Sequence, residues 1–115
     1  MTEAQIQKAV IKHVRQRGVS RLVYFHVPNG GRRGKKEARQ LKNMGTQAGV
    51  SDLIFYHKKE FFALELKADD GRPTEPQLTF HSDVRHNGGH AVVAEGLSEA
   101  LAILEAWQLI RPEAA

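Results

Sequence analysis

Three residues in this chain could do chemistry together: Asp52, Glu65 thirteen positions later, and Lys67 two beyond that. Residues 52–57 and 61–67 are rich in Leu, Ile, Phe and Tyr, and the polar run His57-Lys58-Lys59-Glu60 separates them, which predicts a β-hairpin. A turn centred between Lys58 and Lys59 sets Asp52 opposite Glu65. Lys67 then points to the same face as Glu65. Opposed side chains in such a ladder have Cβ atoms about 4.5–5.5 Å apart, where like charges are destabilising. Two carboxylates and an amine converging in an otherwise apolar hairpin weaken the fold. They suit a divalent cation held beside a lysine.

Glu-x-Lys preceded at this distance by Asp resembles the active site of the PD-(D/E)XK nuclease superfamily. Two flanking segments, Gly49-Val50-Ser51-Asp52-Leu53-Ile54-Phe55 and Gly71-Arg72-Pro73-Thr74-Glu75-Pro76-Gln77, resemble its VRR-NUC branch, the virus-type replication and repair nucleases. The resemblance runs from about residue 3 to about residue 105. One departure is Ser51, where many superfamily members carry proline before the aspartate; proline supplies no ligand, so the chemistry is barely touched. The resemblance implies Mg²⁺, with Mn²⁺ as a substitute, on Asp52, Glu65 and the main-chain carbonyl of Leu66. It also implies hydrolysis of DNA phosphodiesters to 5′-phosphate and 3′-hydroxyl ends. Stand-alone members of the branch point to branched DNA such as four-way (Holliday) junctions, cut by a homodimer, because paired incisions need two sites related by a two-fold axis. The alternatives are a nucleic-acid-binding module that keeps the fold without the chemistry, and a nuclease acting on flaps, single strands or RNA.

Mg²⁺ takes oxygen donors and keeps several waters, so two carboxylates and a substrate phosphate suffice. Lys67 would position or deprotonate the attacking water, or counter charge in the transition state; a lysine merely ion-paired with Glu65 is the bland alternative. Gln77 shares a helical stripe with Phe80 and Val84. It would orient substrate or water, return a hydrogen bond to Thr74 in a capping box, or do both. Glu3 extends the apolar stripe of the first helix and is either a further acid of the site or a dipole-favoured first-turn residue. His26 reads as a satisfied strand histidine. His86-Asn87-Gly88-Gly89-His90 reads as a helix stop, without the spacing of a zinc site. Asp69 and Asp70 are turn residues, and Arg72 is a candidate phosphate contact.

The 115 residues carry a net charge of +4 and contain no cysteine, which excludes disulfides and thiolate metal sites. No apolar run is long enough for a membrane span, and the lack of cysteine suits a reducing cytoplasm; resemblance to a minimal stand-alone domain adds the expectation of a bacterial or phage-infected cell. Arg32, Arg33, Lys35, Lys36, Arg39 and Lys42 face a single acid, Glu37, in one short segment. Such a run is a solvated helix face or, beside a phosphodiester site, a phosphate-contacting surface.

One domain over residues 1–115 must position these groups. Thr2-Glu3-Ala4-Gln5 opens a helix to about Gln16 with Ile6, Val10 and Val14 inward, and a strand follows at 22–27. A short basic helix over 35–43 precedes the hairpin. A second capping box, Thr74-Glu75-Pro76-Gln77, opens a helix that stops at Asn87-Gly88-Gly89. A buried strand over 91–94 and a helix from Ser98 to Trp107 complete the order αβ(α)ββαβα, a restriction-endonuclease-like α/β fold whose last strand runs parallel to a neighbour. Trp107-Gln108-Leu109-Ile110 then either presents a patch to a second copy or folds back on its own core.

Overall fold

The Thr2 hydroxyl accepts a hydrogen bond from the Gln5 backbone N–H while Gln5 Oε1 accepts one from the Thr2 backbone N–H, and this capping box starts α1, Glu3–Arg17. The computed structural model describes residues 1–28 and 34–114, and the chain continues through β1 (Val23–His26), α2 (Lys35–Asn43), β2 (Leu53–His57), β3 (Glu60–Lys67), α3 (Glu75–His86), β4 (His90–Glu95) and α4 (Leu97–Ala106). The strands form one sheet in the order β1-β2-β3-β4. β1 and β2 pair antiparallel, as do β2 and β3, whereas β4 returns through the α3 crossover to lie parallel to β3. Every expected element is present, with ends shifted by one residue or so.

The hairpin register follows the expected turn. Leu53 pairs with Leu64 and His57 with Glu60, which leaves Lys58 and Lys59 as a two-residue loop. Both lysines have positive φ, 48° and 69°, the geometry of a type I′ turn, which suits the sheet twist but disfavours side-chain-bearing residues. Replacing Lys58-Lys59 with Asn-Gly should therefore stabilise the protein by about 1 kcal/mol, a rise of several degrees in Tm. A melting curve that stays put or moves down would contradict this account of the turn.

Alternation along the strands sorts the two faces. Leu53, Phe55, Phe62, Leu64 and Leu66 pack with Ile6, Val10, Val14, Ala100 and Leu104 beneath α1 and α4. Ile54, Ala63 and Ala91 face the other way, against Phe80 and Val84 of α3. Since Ala63 lies on the α3 face, so do Glu65 and Lys67. The C-terminal segment folds back. Leu109 and Ile110 are buried, Ile110 bridges to Gly18, and the Trp107 ring lies 5.1 Å from that of Phe62. Arg17 fixes the same segment by donating to the Arg111 carbonyl. The patch considered for a second copy is thus part of the monomer's core, where its large apolar side chains bury more surface than an exposed tail could.

Candidate active site

β2 begins one residue after Asp52, so Asp52 stands at the mouth of the hairpin where the ladder has just ended. There its Oδ2 accepts the Leu66 amide at 2.8 Å, a hydrogen bond made in place of the next rung. The Asp52 carbonyl accepts from the Val27 amide at 3.1 Å, and from His26 Nδ1 at 2.8 Å, which must therefore carry the proton. His26, read as a satisfied strand residue, is one whose partner happens to be the backbone of Asp52.

Glu65 is almost wholly buried, 2 % exposed, in the middle of β3. Its Oε2 receives Gln77 Nε2 at 3.1 Å and lies 3.4 Å from Lys67 Nζ. Its Oε1 is buried with no hydrogen-bond partner among the described residues. Burial first, then the neighbouring Asp52 carboxylate, pushes the Glu65 carboxyl up to about 7, against the opposing pull of Lys67. A carboxylate oxygen sealed from water beside a second carboxylate wants a proton or a cation.

The donor set fits the cation. Two carboxylates meet, and a strand residue's N–H and C=O leave along the same edge. The Leu66 amide points to Asp52, so its carbonyl emerges on that side, while the neighbouring Lys67 carbonyl accepts from Gly96 on the opposite one. Among the described residues no three His, Cys, Asp or Glu side chains cluster, so the further donors to a cation held here would be water, substrate and main chain, a set that suits Mg²⁺.

Gln77 makes the capping-box bond and reaches the carboxylate pair as well. Its Oε1 accepts the Thr74 amide at 2.8 Å in the capping box, and that leaves its Nε2 to reach Glu65. Glu3 is exposed in the first turn of α1 and has no hydrogen bond or ion pair to this cluster among the described residues. The apolar stripe of α1 enters the core at Ile6, one turn later. Lys35, Lys36, Arg39 and Lys42 are all exposed on α2, which buries none of its residues, and Arg72 is exposed in the loop before α3. Arg32 and Arg33 lie outside the described residues.

Two residues of the site's surroundings escaped the sequence reading. His81 is buried and its Nε2 lies 2.7 Å from Ser51 Oγ; Arg85 donates to the Ala91 carbonyl at 2.6 Å. With Gln77 they stand at i, i+4 and i+8 on one line of α3, so polar groups tie the helix to β3, to the segment before β2, and to β4. The spacing was visible in the sequence, but the apolar pair Phe80 and Val84 drew the stripe one step aside.

No family model matches this chain, and a search of curated proteins finds no relative. A search of solved structures finds a VRR_NUC domain protein that superposes with a TM-score of 0.74 over 91 % of this chain and 86 % of that one, at 24 % sequence identity. The order of helices, the mixed four-stranded sheet and the hairpin carrying Asp52 and Glu65 are therefore those of a compact restriction-endonuclease-like α/β fold, and the chain has the fold of a VRR_NUC domain.

Proposed function

We propose that this protein is a member of the VRR-NUC family acting as a Mg²⁺-dependent DNA endonuclease, with branched DNA such as a four-way junction as substrate. The observation that carries the reading is half-buried Asp52 set against buried Glu65, whose Oε1 has no hydrogen-bond partner among the described residues. A fold selected for stability alone has no use for that pair; a cation removes the conflict. Asp52, Glu65 and the Leu66 carbonyl would hold Mg²⁺, and Mn²⁺ in its place. Once bound, the metal supplies the Lewis acidity that polarises the scissile phosphate.

The chain's own groups supply the rest. An ammonium has three donors and no acceptor, so Lys67 in its ion pair with Glu65 aligns the attacking water and counters the charge that grows on the phosphate oxygens. Gln77 holds Glu65 in place and keeps one carboxylate oxygen turned to the metal position. In-line attack by water then leaves 5′-phosphate and 3′-hydroxyl ends. Paired incision of a junction calls for two copies of the chain, each contributing one site.

The exposed basic helix α2 would contact phosphates. Replacing Lys35, Lys36, Arg39 and Lys42 with Gln should weaken DNA binding with little sequence preference. The slope of log affinity against log salt should flatten by about 0.9 for each phosphate no longer neutralised. An unchanged slope would return α2 to the role of a solvated face. The proposal as a whole is tested by incubating linear duplex, single-stranded, flap and four-way-junction DNA with Mg²⁺ or EDTA, beside Lys67→Ala. Cleavage of the junction that needs both Mg²⁺ and Lys67 is expected. Cleavage confined to flaps or ends would remove the junction substrate, and no cleavage at all would remove the enzyme.

A further inference from the structure

Asp52 sits at the open end of a strand, where a hydrogen bond from the Leu66 amide aims its carboxylate. What fixes the chain immediately before it is α3. Gly49 adopts φ 84°, and a Cβ there would stand 2.2 Å from the Pro76 carbonyl oxygen, so the backbone of this segment lies directly on the first turn of α3. Two residues on, Ser51 is fully buried and its hydroxyl meets His81 Nε2 at 2.7 Å, one helical turn beyond Gln77. His81 Nδ1 is buried without a partner among the described residues. A bare lone pair is cheaper to bury than a bare N–H, so Nε2 carries the proton and donates to Ser51 Oγ. Burial holds the His81 pKa below its ordinary value, with the Arg85 charge adding to it, which agrees with a neutral ring.

The consequence is that one face of one helix addresses both carboxylates, Glu65 directly through Gln77 and Asp52 indirectly through His81 and Ser51. We infer that His81 is a positioning residue, whose hydrogen bond to Ser51 sets the backbone of Asp52 so that its carboxylate meets Glu65 at the separation a divalent cation needs. This rests on the proposed metal-dependent reading of the same pair. His81 touches neither substrate nor metal and acts only through Ser51.

The experiment compares wild type with Ser51→Ala, His81→Leu and His81→Gln, measuring Mn²⁺ affinity by calorimetry at a temperature where melting curves show each to be folded. Steady-state cleavage is then measured with Mg²⁺ varied. Outer groups that orient metal ligands are worth about 10- to 100-fold in affinity. Ser51→Ala and His81→Leu should therefore raise the Mn²⁺ dissociation constant about tenfold or more and lower kcat, with KM for DNA unchanged. His81→Gln, whose amide can reach Ser51, should recover most of the loss. Ser51→Ala folds with only a hydroxyl missing, so it keeps the test decisive if His81→Leu does not fold. Wild-type metal affinity and kcat in Ser51→Ala would overturn the positioning role, as would equal impairment of His81→Gln and His81→Leu. If wild type binds no Mn²⁺ and cuts no DNA, the nuclease reading and this inference fall together. If wild type does both and the variants match it, only the inference falls.

Discussion

Asp52→Asn should lose about a thousandfold or more in Mg²⁺-dependent cleavage while the metal-free protein becomes more stable. The first half follows from the charge. Replacing one of the two carboxylates proposed to hold the metal by an amide should remove several kcal/mol of transition-state stabilisation, and about 4 kcal/mol corresponds to a thousandfold. The second half follows from the local geometry. An asparagine at 52 can still accept the Leu66 amide through its oxygen, and its new amide can donate to the Glu65 oxygen that now has no partner. A hydrogen bond to a charged group contributes about 1.5–3 kcal/mol, so the Tm measured in EDTA at pH 8 should rise by several degrees. DNA binding should hold or tighten, because a charge that repels phosphate is gone. A variant that cuts like wild type would refute the site, and one that melts lower would refute the opposed pair.

The second large effect is a pH dependence whose sign is opposite to that of most paired carboxylates. The Glu65 carboxyl is raised from 4.5 to about 7, because burial and Asp52 both favour its protonated form. Stability from this group is fully present below about pH 4.5, where both folded and unfolded chains are protonated. It is lost as pH rises through about 7, where the folded state must ionise too. The whole change amounts to about 3 kcal/mol. His81 works the other way: its lowered pKa removes stability as pH falls below its ordinary value of 6.5. Comparison with Glu65→Gln separates the two. In EDTA, the stability of wild type relative to Glu65→Gln should decline between about pH 4.5 and 7 and then level off. A flat difference across that window would mean that Glu65 ionises as an ordinary carboxylate.

How far the sequence foretold this arrangement depends on how local the determining contacts are. The hairpin was legible to the residue because the polar run His57-Lys58-Lys59-Glu60 centres a two-residue turn, and loop length sets the register. Both capping boxes were legible for the same reason, since donor and acceptor lie three residues apart. The parallel placement of β4 followed from the helix between it and β3.

What stayed hidden was set by contacts distant in sequence. Ser51 and His81 are 30 residues apart, and neither position announces the other. Trp107 and Ile110 had two possible destinations until Phe62 and Gly18 were placed beside them. The α1 stripe extrapolated to Glu3 leaves that residue exposed, because periodicity tells which side a residue is on but not where along the helix the core begins.

The central claim is that Asp52 and Glu65 together hold a divalent cation, and calorimetric titration of the wild-type protein with Mn²⁺ at pH 6.5 tests it most directly. Just below the raised pKa of Glu65, binding must displace its proton wherever it is present, so buffers of different ionisation enthalpy should report roughly three-quarters of a proton released per metal. Mg²⁺ should compete, and Asp52→Asn should abolish the signal. Binding of equal strength in Asp52→Asn, or binding with no proton released, would contradict the account.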